Sequence, residues 1–384
     1  MKRIAYICTD PGVPVFGCKG SSVHVQEVIR AFISGGASVT LFARRFGGDT
    51  PPGLENVKCI ALQRPAANDS AARERALFEV NTYLPRQLDA EPVFDMVYER
   101  HALWSHAAMV WARSRGLPAV LEVNAPLIEE QAEHRVLHHR TSAEASARQA
   151  YDAADHIIAV SSGVSEWLAD FGVAKTKLHV IPNGVDTRRF MPVEHSDASA
   201  LTIGFVGTLK PWHGLSVLVE AARIARQENV PLRLLIVGDG PERASLQSQL
   251  DVAGLGRVTE LTGAVEPAKI PDLIARMDVA IAPYPQLPGF YFSPLKIMEY
   301  MAAGRAVIAS RIGDIDGLVT HEVDGLLCPA GNARAFADAI IRLYRDPELR
   351  ANLSFAARDK AVRELAWDSV VERILDLAVE SVPC

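Results

Sequence analysis

Two hydrophobic patterns alternate along the chain. Short runs of apolar or β-branched residues, such as LTIGFV at 201–206 and LLIV at 234–237, are separated by longer segments in which apolar residues recur every three or four positions. Continuous apolar runs are typical of strands buried on both faces, and the longer spacing is typical of amphipathic helices. The alternation predicts an α/β fold, with a mostly parallel sheet covered by helices on both faces.

The predicted elements form two groups. The strands of the first group are Arg3–Cys8, Ser38–Phe42, Val57–Ala61, Met96–Glu99, Ala119–Val123, His156–Val160 and Leu178–Ile181. The strands of the second group are Leu201–Val206, Leu232–Val237, Val258–Thr262, Val279–Ala282, Ala306–Ala309 and Gly325–Leu327. The predicted helices of the second group are Gly214–Gln227, Pro241–Asp251, Ile270–Met277, Pro294–Ala303 and Ala333–Arg345. Each group has the strand and helix content of a doubly wound domain.

A polar, turn-rich stretch separates the groups at 183–199 and is the predicted linker. We therefore expect one domain at 1–193 and a second at 194–364. An amphipathic segment near the carboxyl terminus, within 365–384, is expected to return to the first domain. With 384 residues and 49% apolar composition, the chain can bury two cores of this size.

Composition narrows the function classes. A net charge of −6 with dispersed Lys and Arg argues against a nucleic-acid partner and favours a small anion. The five cysteines include no Cys-x-x-Cys pair, so we expect neither a zinc site nor a disulfide framework, but a reducing cytoplasm. The first residues read as a strand rather than a signal peptide, and no apolar run is long enough to span a membrane.

The strongest chemical feature is PGFYFSPLKIMEYMAAG at 288–304, in which an aromatic loop runs into a helix. We expect Ser293 to cap the helix and Pro294 to occupy its first position. Free N–H groups and Lys296 would then attract an anion such as a diphosphate, with Glu299 one turn further on to accept ribose hydroxyls. The alternative is an ordinary capped helix with a solvated glutamate.

A second candidate loop, GFVGTLKPWHG at 204–214, follows a buried strand at the edge where ligands bind in doubly wound sheets. Lys210 could pair with phosphate, and Gly207, Thr208 and His213 would lie beside it. The alternative is a solvated lysine and a histidine packed on its tryptophan neighbour.

Weaker candidates lie at other strand ends. Arg100, His101, Glu122 and Asn124 are expected to face a cleft between the domains, and Asp239 follows a strand of the second domain. Gly17 and Gly20 would let the backbone approach a ligand after the first strand. A structural histidine, an ordinary turn and a surface loop are the respective alternatives.

In order along the chain, VIPNGVD, GFVGTLKPWHG, LLIVGDGPE, SPLKIMEYMAAGRAVIAS and IGDIDGLVTHEVDGLL resemble motifs of glycosyltransferase family 4. The resemblance spans nearly the whole chain. It implies the GT-B architecture, in which two Rossmann-like domains face each other across a cleft. The second domain would bind the donor nucleotide, and the first would bind the acceptor.

The same resemblance assigns roles and reveals departures. Glu299 matches the second glutamate of the family's usual pair, and Tyr291 stands in place of the first, within a variant Ser-Pro-Leu-Lys loop. Thr208 and His213 replace the family's usual arginine and lysine, so Lys210 and Lys296 are expected to neutralise the diphosphate. The donor-side residues predicted on this basis are Gly17, Gly20, Gly207, Thr208, His213, Asp239, Tyr291, Phe292, Ser293, Leu295 and Lys296.

The resemblance implies transfer of a sugar from a UDP-, GDP- or ADP-linked donor to a hydroxyl acceptor, with the anomeric configuration retained and no metal or other cofactor. Catalytic roles are expected for His101, Arg100, Lys210 and Glu299, with Asn124 and Glu122 on the acceptor side. The acceptor could be a small molecule, a glycan or a lipid-linked compound, the last of which would bring the protein to the inner membrane surface. A nucleotide-sugar epimerase and a catalytically silent binding protein are the alternatives.

Overall fold

A computed structural model describes residues 2–65, 69–193, 200–287, 290–291 and 293–380. The chain forms two compact units. Unit 1 contains residues up to Asn183 together with the segment from Trp367, and unit 2 runs from Gly184 to Ala366.

Unit 1 is built on a seven-stranded parallel sheet with strand order β3-β2-β1-β4-β5-β6-β7. Its strands are β1 Arg3–Cys8, β2 Ser38–Ala43, β3 Lys58–Ala61, β4 Met96–Arg100, β5 Ala119–Val123, β6 His156–Ala159 and β7 Leu178–Val180. Its helices are α1 Gly20–Ser34, α2 Ser70–Phe78, α3 Val80–Asp89, α4 Ala107–Ser114, α5 Leu127–His134, α6 Arg140–Ala153, α7 Ser162–Asp170 and α15 Trp367–Glu380.

Unit 2 repeats the plan with a six-stranded parallel sheet of order β10-β9-β8-β11-β12-β13. Its strands are β8 Leu201–Val206, β9 Leu232–Val237, β10 Thr259–Leu261, β11 Val279–Ala282, β12 Ala306–Arg311 and β13 Leu326–Pro329. Its helices are α8 Leu215–Gln227, α9 Arg243–Val252, α10 Ile270–Ala275, α11 Leu295–Ala302, α12 Ile315–Leu318, α13 Ala333–Arg345 and α14 Pro347–Glu364.

The predicted α/β fold is confirmed, and the strands follow the hydrophobic runs closely. Every residue of β8 and of β11 is buried. Such strands have apolar side chains on both faces because helices cover both sides of the sheet. In unit 2, one layer of apolar side chains includes Phe205 and Ile236, and the layer on the other face includes Leu235 and Ile297.

The division between units falls earlier than the predicted boundary after 193. Val185 pairs with Leu365 through its backbone N–H, and Phe190 is part of the unit 2 core. The guanidinium of Arg358 donates to the carbonyl oxygens of Thr187 and Phe190. These contacts place residues 185–190 on unit 2.

The last helix, α15, belongs to unit 1. Val370, Val371 and Ile374 join the same apolar core as Val25 and Ile29 of α1. In the described part of the chain, no helix combines the length and apolar character that crossing a bilayer requires.

Candidate active site

The site of unit 2 lies where its topology reverses. β8 lies between β9 and β11, and the chain proceeds outward through β9 and β10 on one side and through β12 and β13 on the other. Loops at the carboxyl ends of two such neighbouring strands diverge and leave a crevice, which is where ligands bind in open α/β sheets. The loops that begin at Gly207 and Pro283 follow these two strands.

Glycines let these loops approach one another. A Cβ atom on Gly214, which has a φ of +66°, would lie 1.8 Å from the carbonyl oxygen of Pro283. A Cβ atom on Gly238 would lie 2.0 Å from the carbonyl oxygen of Gly207. Because no side chain fits at either position, the backbone itself forms the floor of the crevice.

Helix α11 is fixed to the same crevice through Tyr300. Its hydroxyl accepts the backbone N–H of Val206, the last residue of β8, at 2.7 Å. The Lys296 ammonium lies 4.2 Å from the ring centre of Phe205 and 5.4 Å from that of Tyr284. A Cβ atom on Gly207 would stand 2.9 Å from Lys296 Nζ, so the ammonium covers the start of the glycine loop.

Two polar atoms of this segment are buried without a hydrogen-bond partner among the residues described, namely Lys296 Nζ and Ser293 Oγ. Burial lowers the pKa of Lys296 to about 7, although the Glu299 carboxylate acts in the opposite direction. Buried polar atoms are almost always paired, since an unpaired one costs about 1–3 kcal/mol. The two atoms therefore point to a polar ligand, and the ammonium favours an anionic one.

The loop residue His213 is neutral. Its Nδ1 atom hydrogen-bonds the carbonyl oxygen of Thr208, and burial, assisted by the charge of Lys296, lowers its pKa to about 4. His213 therefore shapes the loop and adds no positive charge. The Lys210 ammonium lies 5.3 Å from the ring centre of Trp212, so Lys296 is the cation held over Gly207.

Glu299 lies one turn after Lys296 on α11. Burial raises the pKa of Glu299 to about 7, and the positive charges of Arg189 and Lys296 partly oppose this shift. Asp239, at the end of β9, accepts the N–H of Gly240 at 2.8 Å, and its carboxylate lies 3.7 Å from Arg243. Glu299 is thus the carboxylate that follows Lys296 on the same helix, and its negative charge acts on the unpaired ammonium.

Unit 1 holds a charged network at the ends of β4 and β5. One carboxylate oxygen of Glu122 lies 3.1 Å from the Arg100 guanidinium and 3.3 Å from His24, and Asn124 also donates to it. The Tyr98 hydroxyl donates to the other oxygen. Burial alone would raise the pKa of Glu122, but these partners bring it below its usual value. Both oxygens of this buried carboxylate therefore have hydrogen-bond partners within the protein.

His101 lies on the opposite face of β4 from this network, beside the ring of Tyr151 at 5.3 Å. Both of its ring nitrogens are buried without a partner in the described chain, and burial lowers its pKa to about 4. Glu99 lies on the same face, and the Ser105 hydroxyl beside its carboxylate partly opposes the effect of burial on its pKa. Burial raises the pKa of Glu99 to about 7.

Two family models match successive parts of the chain. The model described as Glycosyltransferase Family 4 matches residues 19–189, and the model described as Glycosyl transferases group 1 matches residues 200–346. Together they cover most of both units. The chain belongs to the family 4 glycosyltransferases.

The glycosyltransferase is similar to other proteins over nearly its whole length, both in sequence and in structure. The D-inositol 3-phosphate glycosyltransferase of Saccharomonospora viridis is 26% identical, over 97% of this chain and 91% of that protein. Among solved structures, Anabaena HepE in complex with UDP has a TM-score of 0.69 at 19% identity, covering 99% of this chain and all of HepE. Sucrose-phosphate synthase of Thermosynechococcus elongatus also has a TM-score of 0.69, at 20% identity with 99% of each chain covered. The predicted GT-B fold class is confirmed.

One prediction about the start of α11 in the glycosyltransferase is wrong. Pro294, with a ψ of 60°, precedes the helix instead of occupying its first position, and Ser293 does not cap it. The turn at Pro294 leaves the Ser293 side chain one residue too early to reach the free N–H groups. The N–H of Leu295 is bonded to the Ser293 carbonyl oxygen at 3.0 Å, so it is not an open donor.

The remaining predicted positions of the glycosyltransferase are placed as follows. Tyr291 is half-buried, and Phe292 lies outside the described residues. Gly20 begins α1, and the side-chain amide of Gln26 donates to the Gly17 carbonyl oxygen at 3.0 Å. Within the described ranges, no cluster of three or more His, Cys, Asp or Glu side chains could hold a metal ion.

Several residues of these sites were missed from the sequence. Phe205 and Tyr284, which flank the Lys296 ammonium, were not selected, because Phe205 lies in a predicted buried strand and Tyr284 lies just after another. Glu99 carries a usable signal, because it is an acidic residue that directly follows the apolar run Met96–Tyr98 within a buried strand. Strand periodicity places it on the face of His101.

Proposed function

We propose that this glycosyltransferase uses a nucleoside diphosphate sugar as its donor, that unit 2 binds the donor, and that a hydroxyl group is the acceptor. The observation that carries the proposal is the buried Lys296 ammonium without a hydrogen-bond partner in the described chain, held over Gly207 where the sheet order reverses. A diphosphate would supply the missing partner. Unpaired donors at such a crevice are suited to anions.

The surrounding groups fit the parts of such a donor. The Ser293 hydroxyl is also unpartnered and lies on the same segment, so it can donate to a phosphate oxygen. The Gly207 backbone has no side chain to keep a ligand away. Glu299, on the same helix as Lys296, would accept the two ribose hydroxyls as a carboxylate. HepE, which shares the fold, was solved with UDP bound, and this supports the choice of ligand.

The chemistry places negative charge on the departing diphosphate as the bond to the sugar breaks. A fixed ammonium accelerates the step because it stabilises the charge as it develops. We propose that Lys296 of α11, together with Lys210 of the loop that follows β8, fulfils this role without a metal ion or other cofactor. The product is expected to keep the anomeric configuration of the donor.

The test is a donor panel. Purified protein is incubated with UDP-, GDP- and ADP-linked sugars, with and without EDTA, and release of nucleoside diphosphate is measured while NMR follows the anomeric configuration of the sugar. We expect slow release from one nucleotide class, unaffected by EDTA, with retention. Interconversion of the sugar without release would indicate an epimerase, and binding without release would indicate a silent protein.

Two variants assign the release to this site. Lys296→Met removes the ammonium, and Lys269→Met serves as the matched control because Lys269 is exposed and pairs with Glu266. Release should fall in the first variant and persist in the second. Equal rates in both would exclude Lys296 from donor turnover.

A further inference from the structure

A cavity of about 690 Å³ lies within unit 1, apart from the residues assigned to the donor. Its walls include Asp10 after β1, Arg44 after β2 and Ala102 after β4. β1 and β4 are neighbours from which the strand order runs in opposite directions, so this cavity occupies the ligand-binding edge of its own sheet. Its volume suits a molecule of one or two sugar rings.

Arg44 is the residue in this cavity that most requires a partner. Its side chain is 3% exposed, and burial lowers its pKa. One guanidinium nitrogen donates to the carbonyl oxygen of Leu77 at 2.6 Å, but Nε is buried without a partner, and no described carboxylate forms an ion pair with Arg44. A buried cation without a direct ion pair is costly, and the longer-range attraction of Asp10 and Glu79 offsets the effect of burial only in part, so an anion in the cavity would stabilise Arg44.

Two more guanidinium groups, of Arg73 and Arg135, line the same cavity. Arg73 lies on α2, and Arg135 follows α5. The carboxylate of Glu74 joins the two segments, because it accepts the backbone N–H groups of His138 at 3.0 Å and His139 at 2.9 Å. The arginines are thereby carried on segments that are fixed to each other before any ligand arrives.

Three carboxylates, those of Asp10, Glu74 and Glu130, also line the cavity and offset part of the positive charge of the arginines. Glu74 is occupied by His138 and His139, including the His139 ring at 2.9 Å. Asp10 accepts the N–H of Gly12 at 2.7 Å, and Glu130 has a partner of its own. In the described chain, none of the cavity arginines forms a direct ion pair with a carboxylate, and four arginines against three carboxylates leave the lining with a net positive charge. The arginines concerned are Arg44, Arg45, Arg73 and Arg135.

We infer that this cavity is the acceptor pocket and that it selects acceptors carrying a phosphate or carboxylate group in addition to the hydroxyl that receives the sugar. The inference rests on the proposed function for the meaning of "acceptor", while the oxyanion site stands on its own residues. Guanidinium groups bind such oxyanions through paired N–H donors, which fixes the orientation of the ligand as well as its charge. A neutral polyol would bring no negative charge to the buried Arg44 guanidinium.

Direct binding tests this without turnover. Calorimetry on the full chain in a Lys296→Met background, which weakens anion binding at the donor site, uses inorganic phosphate, glucose 6-phosphate, glucuronate and glucose as probes. Phosphate and at least one charged sugar should bind, and glucose should not bind measurably. Comparison of the sugar phosphate with the sugar carboxylate identifies which oxyanion the pocket prefers.

Variants locate the binding. Arg73→Ala and Arg135→Ala alter exposed side chains and should leave the fold intact, yet each should weaken oxyanion binding at least about fivefold, since each removes a charge-assisted contact. Arg115→Ala is the control, because Arg115 is 51% exposed and pairs with Asp89 away from the cavity. Arg44→Met should abolish binding, with circular dichroism to verify folding. Equal affinities in Arg73→Ala, Arg135→Ala and Arg115→Ala, or glucose bound as well as its phosphate, would overturn the inference.

The outcome can be separated from that of the proposed function. Oxyanions could bind through the arginines although the wild-type protein releases no nucleoside diphosphate from any donor. That result would support the oxyanion site and refute the proposed function. Alternatively, the protein could cleave the donor and use neutral acceptors as efficiently as charged ones, with no effect of the arginine substitutions. That result would support the proposed function and refute the oxyanion pocket.

Discussion

The Glu122 network of unit 1 and the Lys296 site of unit 2 hold buried charges at equivalent edges of similar sheets, but they differ in how those charges are paired. Glu122 accepts hydrogen bonds from Tyr98, Arg100 and Asn124 and contacts His24. Lys296 Nζ has aromatic rings around it and no hydrogen-bond partner in the described chain. Removal of a buried carboxylate that has partners leaves those partners unpaired and is costly, whereas an unpaired buried ammonium is stabilised only when an anionic ligand binds.

The difference also revises the roles expected for unit 1. Glu122 stays a predicted acceptor-side residue, but both of its oxygens already accept hydrogen bonds, so we expect it to act by positioning Arg100 and Asn124. His101, with both ring nitrogens unpartnered, remains a predicted catalytic residue. Glu122 thus differs from His101, whose ring nitrogens have no partner in the described chain and are available to a ligand.

The largest effect should come from breaking the filled network. Glu122→Ala leaves the buried Arg100 and Tyr98 groups without their acceptor, and we expect unit 1 to lose about 3 kcal/mol or more of stability. Urea unfolding followed by circular dichroism measures the change. Glu144→Ala is the control, because its ion pair with Arg140 is exposed, and it should leave the midpoint unchanged. A midpoint for Glu122→Ala equal to that of the control would show that the network is not structural.

Next in size is the loss of activity in the unpaired site. Lys296→Met keeps the length of the side chain but removes the charge that faces the leaving diphosphate, so kcat/KM for the donor should fall about 100-fold or more. Steady-state release of nucleoside diphosphate measures it. The comparison sharpens if Glu122→Ala, assayed below its unfolding temperature, retains more activity than Lys296→Met.

The pH dependence of donor binding should be smaller. Burial brings the pKa of Lys296 down to about 7, so the ammonium that attracts diphosphate is present below neutral pH and is lost as pH rises. Burial brings the pKa of Glu299 up to about 7, so the carboxylate that accepts ribose hydroxyls is lost as pH falls. Affinity should therefore be highest near neutral pH and weaken by up to about tenfold per pH unit on either side.

Titration calorimetry from pH 5.5 to pH 8.5, roughly the range in which both groups change charge, measures this profile. Lys296→Arg should remove the alkaline decline because a guanidinium stays charged, and Glu299→Gln should remove the acid decline. A flat wild-type profile would contradict the assignment of these two groups to the donor.

The smallest expected effect is a gain in stability from Lys296→Met, the same substitution that should reduce activity. Because Lys296 costs free energy while unpaired, Lys296→Met should raise the stability of ligand-free unit 2 by about 1 kcal/mol. The urea midpoint with no ligand present measures it. A lower midpoint would mean that the ammonium stabilises the fold, which would weaken the contrast with Glu122.

The sequence alone determined the fold class, the order of the strands along the chain and the family. Strands buried on both faces leave continuous apolar runs, and the loops after β8 and β11 carry glycines and charged residues that the motifs identify. Glu299 and Lys296 could be selected in this way because their spacing on one helix is local. Such information is written within a few neighbouring residues.

Only the tertiary structure decided which charges are satisfied. Arg44 and Leu77 are far apart in sequence, as are Lys296 and Phe205, and their contacts depend on how separate elements pack. The same holds for Ser293, where one turn at Pro294 converted an expected cap into a free hydroxyl. Pairing of a buried polar group is set by neighbours from other segments, and a single sequence contains no direct record of them.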